Sequence, residues 1–136
     1  MSVTSPLFAS ATVAIGGAVG AVSRYQLGRA ITAWLGPLTV SAFPWATLAA
    51  NVIGSLAMGL LAGWLARHGD LGSDQIRLFV GVGLLGGFTT FSAFSLELMV
   101  LIERGDAALA LAYAAVSVLA GLTALYIGLI VMRIAA

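Results

Sequence analysis

Ten consecutive residues, Gly86-Gly87-Phe88-Thr89-Thr90-Phe91-Ser92-Ala93-Phe94-Ser95, set glycines, hydroxyls and aromatic rings in the middle of a segment otherwise apolar enough to cross a bilayer. Such residues weaken a helix where no water can satisfy freed backbone groups, so an interruption there must be buried against protein, an ion or a polar cavity. Glycine permits unusual backbone angles, and an unwound turn would free carbonyls, those of Gly86 and Thr89 among them, to face a buried cation. The alternative is a tilted, continuous helix whose threonines bond back to their own carbonyls. Phe91 and Phe94 share a helical face beyond the interruption, and Phe88 joins that face only if the backbone between stays helical. Aromatic rings on a membrane helix usually pack or face lipid. Their positive edge can also face an anion, and here the hydroxyls of Ser92 and Ser95 lie close by in sequence.

The remaining polar outliers are few. Asn51 sits inside Ala46-Thr47-Leu48-Ala49-Ala50-Asn51-Val52-Ile53-Gly54. Its amide has two N–H donors suited to an anion and is equally suited to an interhelical hydrogen bond. Tyr113 and Ser117 are four apart, so their hydroxyls share a face and either line a polar track or bond a neighbouring helix. Glu97 is the one carboxylate well inside an apolar register, and an intramembrane acid is a functional hypothesis by default. Its place late in its segment allows snorkelling, proton binding, control of anion entry, or pairing with Arg24 or Arg29.

Enzymatic chemistry finds no footing. The single histidine, His68, has no second histidine, cysteine or carboxylate at metal-ligand spacing, and there is no cysteine at all. Disulfides, thiol catalysis and cluster ligation are therefore excluded. Gly81-Val82-Gly83-Leu84-Leu85-Gly86 matches a loose GxGxxG, but it lies inside an apolar span with no βα context. No P-loop or basic nucleic-acid patch accompanies it.

The elements that must position these residues follow from composition. Of 136 residues, 61% are hydrophobic and 8% charged, so the chain is read as an all-α integral membrane protein. With about 20 apolar residues per crossing, four spans fit: Leu7 to Ala33, Pro44 to Ala66, Ile76 to Ile102 and Ala107 to Met132. They form a single domain over residues 1–136 with short connectors. The first span lacks a basic region before it and is read as retained. The third, about 27 residues and roughly 40 Å of helix, exceeds the ~30 Å hydrocarbon core and can hold an interruption and still span. Gly16 and Gly20, and Ser55, Gly59 and Gly63, recur every four residues and predict close helix packing.

Charge bears on orientation. Arg67, Arg77 and Arg133 fall on the side of the termini, and Arg24, Arg29 and Arg104 on the other, three against three. Without the usual bias in short loops, the chain is expected to insert both ways, and an antiparallel homodimer then follows; the alternative is that a few flanking arginines are too small a sample and that Arg24 is structural within its span. Asp70, Asp74, Glu103 and Asp106 read as solvated charges at loops and helix ends.

Over nearly its whole length the chain resembles the Fluc (CrcB) family of fluoride channels. The resemblance rests on Gly16-Gly17-Ala18-Val19-Gly20-Ala21-Val22-Ser23-Arg24-Tyr25, on Pro44 through Gly54, and on Gly86 through Glu97. It implies four transmembrane helices with a broken third helix, in an antiparallel dual-topology homodimer with two fluoride pathways and a central structural Na⁺ held by backbone carbonyls. Gly86 and Thr89 match the sodium positions, Phe91 and Phe94 the aromatic pair, Asn51 the pore asparagine and Arg24 the vestibule residue. Ser92, Glu97, Tyr113 and Ser117 would belong to a polar track. Ala93 stands where the family commonly has threonine, and Ala46 where it commonly has glycine.

The expected function is passive, fluoride-selective export across the inner cell membrane, with the lipid bilayer and a second copy as partners and no role for nucleic acid. Two other classes stay open. A small dual-topology proton-coupled exporter needs a central acid, and Glu97 is the only substitute for one deep in the first span. A noncatalytic assembly subunit would use Asn51 and the other polar residues as helix glue.

Overall fold

The computed structural model describes residues 5–69 and 73–135, all in helices and short connectors. Four helical stretches are long and apolar enough to cross a membrane: Pro6–Leu35, Trp45–Arg67, Ser73–Glu103 and Ala107–Ile134. The expected spans coincide with them, each set within a few residues at either end. Asp70, read as a solvated loop charge, lies outside the described residues.

Helix α1 (Pro6–Leu35) begins with Ser5 capping the N–H of Phe8 and a proline in its first turn, a favourable start because proline has no N–H to strand there. It stops at Gly36, whose φ of 84° belongs to the left-handed region that glycine adopts freely. A short helix α2 (Pro37–Ala42) follows, not foreseen from the sequence, and leads through Phe43 and Pro44 into α3 (Trp45–Arg67).

The third stretch is built from pieces. A turn of α-helix, α4 (Ser73–Ile76), runs into a nine-residue π-helix (Arg77–Leu85) and then into α5 (Gly86–Phe88). Thr89 and Thr90 are extended, with φ, ψ of −84°, 159° and −153°, 124°, and α6 (Phe91–Glu103) starts after them. Helix α7 (Ala107–Ile134) closes the bundle after a turn at Gly105, φ 87°.

Close packing is set by bare backbone. The main pairings are α3 on α7 and α1 on the π-helix and α5. A Cβ on Gly83 would lie 2.8 Å from the Val13 carbonyl and 3.0 Å from Gly16 Cα, so α1 and the π-helix meet only because both are glycine there. A Cβ on Gly20 would lie 2.8 Å from the amide of Phe88. Gly59 abuts the Leu125 carbonyl on α7, and Gly128 abuts the Leu56 carbonyl on α3. The glycine spacings on the first two spans are thus packing contacts, as the sequence predicts.

The two ends of the bundle are tied by arginines. Arg67, at the end of α3, donates to the carbonyl of Met132 near the end of α7. Arg104, after α6, donates to the Ser41 carbonyl of α2 at 2.7 Å. These ties put Arg67 and Arg133 at one end and Arg104 at the other, with the last turns of α1 leading into α2 there. Inside, Leu101, Ala110 and Tyr113 form a buried cluster where α6 meets α7, with Phe43, Leu48 and Phe94 packed on it.

Candidate functional site

The site begins with what the two extended threonines do to the hydrogen bonds around them. In an unbroken helix the Thr90 N–H would donate to the Gly86 carbonyl and the Ala93 N–H to the Thr89 carbonyl. Here the Thr90 N–H donates to Asn51 Oδ1 at 2.8 Å, and the Ala93 N–H donates to Thr90 Oγ1 at 3.2 Å. Gly86 and Thr89 therefore both lose their helical donors. Arg24 Nε donates to the carbonyl between them, that of Gly87, at 3.3 Å. The alternative of threonines bonding back along their own helix holds for one of the pair: Thr89 Oγ1 donates to the Leu85 carbonyl at 2.8 Å, as does its N–H at 2.9 Å. The Thr90 side chain instead caps α6 and lies 3.3 Å from the Ser92 hydroxyl.

Asn51 completes the arrangement from α3. Its Nδ2 donates to the Thr90 carbonyl at 3.1 Å while its Oδ1 accepts from the Thr90 N–H. One amide N–H is left over. The interhelical bond and the anion donor, posed as alternatives from the sequence, are thus compatible in one side chain. Asn51, Thr89, Thr90, Phe91, Phe94 and Ser117 together line a cavity of about 360 Å³. Phe91 and Phe94 stand 5.8 Å apart between ring centroids, tilted by 43°. Phe91 is 79% exposed on the face of this single chain. Phe88, cut off from them by the extended residues, does not join the face.

Glu97 is neither snorkelled to the interface nor paired with arginine. Its two carboxylate oxygens accept from Thr47 Oγ1 at 2.6 Å and from the Tyr113 hydroxyl at 2.8 Å. Among the described residues the ion pair within 4 Å is Arg77 with Asp74, 3.7 Å apart. Arg24, Arg29, Thr47 and Glu97 do share a groove of about 870 Å³ between α1, α3 and α6. Tyr113 is fully buried, its ring 5.1 Å from that of Phe94 and 5.3 Å from that of Phe43.

Ser92 stands apart from the others: it is exposed and lines neither space. Ser95 is turned back onto the Phe91 carbonyl. Thr47 and Thr90 carry more of the site than the sequence reading gave them. Thr47 had a signal, since it precedes Asn51 by four residues and so shares its face of α3. The role of Thr90 as a cap follows only from knowing where the helix restarts.

Among the described residues no cluster of three His, Cys, Asp or Glu side chains is placed to hold a metal. The Gly86 and Thr89 carbonyls, expected from the sequence to face a cation, are neutral oxygens without their helical donors. The cleft is lined by an amide side chain, hydroxyl residues and two aromatic rings.

Comparison with known proteins identifies the family. The family model described as "CrcB-like protein, Camphor Resistance (CrcB)" matches residues 11–129. The chain is 54% identical over 134 residues to the fluoride-specific ion channel FluC of Erythrobacter litoralis, covering 98% of both chains. It is 60% identical over 125 residues to the protein of the same name from Novosphingobium aromaticivorans, covering 92% of this chain and 96% of that one. The protein of that name from Sphingopyxis alaskensis is 53% identical over 121 residues, or 89% and 92% of the two chains. The four spans and these matches have one reading: the chain belongs to the CrcB family of multi-pass membrane proteins.

Proposed function

We propose that this chain is a fluoride-selective channel that lets fluoride leave the cell down its electrochemical gradient. The observation that carries the reading is the cleft at the interrupted third span, which Asn51, Phe91, Phe94 and Ser117 line together. Relatives covering almost the full chain are named fluoride-specific ion channels. Fluoride is small and strongly hydrated, so its route must replace water with several donors, each binding weakly enough to release the ion. The spare N–H of Asn51 is one such donor, and the edges of Phe91 and Phe94 add a weaker attraction. Thr47, Glu97 and Tyr113 continue the polar line towards the groove beside Arg24. Arg24 raises the local concentration of anions at that mouth. Fluoride enters cells as weakly acidic HF and dissociates inside, and the channel would relieve the resulting accumulation.

The functional unit of this proposal is an antiparallel, dual-topology homodimer with two pathways. The near balance of arginines, three against two once Arg24 is set at the Gly87 carbonyl, supports it, as does the 79% exposure of Phe91, a pathway residue that one chain leaves uncovered. The break in the third helix would lie at the centre of that dimer. The carbonyls of Gly86 and Thr89, deprived of their helical donors, fit a structural Na⁺ shared between the copies. Such an ion would supply fixed positive charge to backbone oxygens that are otherwise unsatisfied.

The test is fluoride release from liposomes holding the purified protein, followed with a fluoride electrode while valinomycin and K⁺ set the membrane potential. Rapid release of fluoride and retention of chloride, with no proton gradient, is the expected result. Release that requires a proton gradient, or none at all from folded protein, would sink the channel reading.

A further inference from the structure

Ser55 was placed by spacing alone with the packing glycines of α3, and the structure separates it from them. It lies one turn beyond Asn51, as Thr47 lies one turn before, so the three polar residues form one stripe along α3. Where Gly59 and Gly63 press against α7, Ser55 lines the cavity that also holds Asn51, Phe94 and Ser117.

Two observations give its hydroxyl a task. The Ser117 hydroxyl oxygen is shielded from solvent and has no hydrogen-bond partner. A buried hydroxyl left without a partner is costly in an apolar bundle. The serine and threonine hydroxyls at positions 12, 32 and 95 instead return to a carbonyl one turn earlier. The second observation is Gly121, one turn beyond Ser117 on α7. A Cβ there would meet Ser55 Oγ at 3.5 Å, an ordinary contact, so this hydroxyl faces a stretch of α7 that carries no side chain.

We propose that Ser55 is a further anion-binding residue, its hydroxyl and that of Ser117 forming a donor pair that takes fluoride beyond Asn51 and Phe94. α7 presents hydroxyls at Tyr113 and Ser117 and then none at Gly121, and α3 supplies the next one from the opposite wall. The pair rests on the channel reading, since its ligand is the ion that reading assigns. A hydrated anion leaving the Asn51 amide meets two O–H donors there, and the buried Ser117 oxygen gains a partner whenever an ion is held.

The experiment moves the hydroxyl from one wall to the other. The unsubstituted protein, Ser55→Ala, and Ser55→Ala combined with Gly121→Ser are reconstituted, and fluoride release is measured by electrode after size-exclusion chromatography confirms assembly. Ser55→Ala is expected to slow release by about tenfold, the scale of one lost hydrogen bond to an ion, and the double variant to recover most of that loss. An unchanged rate in Ser55→Ala overturns the proposal. So does a loss that the relocated hydroxyl leaves unrepaired, because that is the behaviour of a packing residue. If Ser55→Ala does not assemble, Ser55→Cys, which keeps volume with a much weaker donor, is judged by rate alone: slowed supports the pair and unchanged overturns it. Failure of the unsubstituted protein to release fluoride would strike the channel reading, a result distinct from any of these.

Discussion

Asn51 and Thr90 are joined by two hydrogen bonds that run in opposite senses, Nδ2 to the Thr90 carbonyl at 3.1 Å and the Thr90 N–H to Oδ1 at 2.8 Å. One side chain on α3 thereby does the work of a missing helical turn, satisfying both backbone groups of a residue that neither α5 nor α6 includes. The Gly86 carbonyl is released by the same contact. In the proposed channel, structural and ion-handling roles would meet in this pair.

Asn51→Asp keeps the acceptor for the Thr90 N–H, replaces the donor with a carboxylate oxygen facing a carbonyl, and sets a negative charge on the proposed route. Fluoride release is expected to fall by at least about tenfold, the scale of one charge-assisted hydrogen bond. The assay is the liposome electrode measurement on protein that elutes as the unsubstituted form does. Unimpaired release would remove Asn51 from the pathway and leave it as the clasp on Thr90.

Phe94 touches both halves of the site, with its ring 5.8 Å from that of Phe91 and 5.1 Å from that of Tyr113. Phe94→Ile keeps an apolar side chain there and removes the ring edge. If the edge assists the ion, release slows while the elution volume stays the same. If Phe94 only packs, release is preserved and the melting temperature drops, as expected from about 1–3 kcal/mol lost to imperfect filling.

Much of this arrangement was readable from residue types, because the bilayer allows so few polar groups that each one needs a reason. The four spans, the glycine contacts between them, and the unusual standing of Asn51 and Glu97 follow from that scarcity. Partners were harder to read. Glu97 chose Thr47 and Tyr113 over Arg24 and Arg29, since hydroxyls on α3 and α7 face it within the bundle. The π-helix at Arg77–Leu85 and the short α2 left no clear periodic mark, one being set by packing against α1 and the other by two prolines and a glycine. Ser55 looked like a fourth-residue packing position because Gly121 opposite it, one turn past Ser117, is visible only once α3 and α7 are brought together.

Thr47 and Tyr113 hold Glu97 from opposite sides, so the loss of either hydroxyl leaves one carboxylate oxygen without its donor. Thr47→Val is expected to lower stability by about 1–3 kcal/mol, the scale of a hydrogen bond to a charged group that is half-buried. Tyr113→Phe should cost about the same, since the ring contacts with Phe43 and Phe94 are kept. Because both variants unpair the same group, the double variant should cost less than the sum of the two. Thermal melts in detergent, read by circular dichroism, measure all three. Additive losses would mean that the two hydroxyls act independently of Glu97.

Gly17 and Gly20 give a sharper test of how α1 positions the interruption. A Cβ at Gly20 would run into the Leu84 carbonyl and lie 2.8 Å from the Phe88 amide, both backbone atoms that cannot turn aside. At Gly17 the nearest atom to an added Cβ is the Gly83 carbonyl oxygen, 3.8 Å away. Gly20→Ala must therefore push α1 away from α5, at about 1–3 kcal/mol for overpacking, whereas Gly17→Ala meets only ordinary contact. The displaced element is the one that ends at Phe88, directly before Thr89 and Thr90, so the consequence extends beyond stability. Arg24, one turn along α1 from Gly20, would also be drawn off the Gly87 carbonyl. Gly20→Ala is expected to lower both the melting temperature and fluoride release, and Gly17→Ala to leave both near the unsubstituted values. Equal effects at the two positions would show that α1 sits on the third span less closely than this geometry has it.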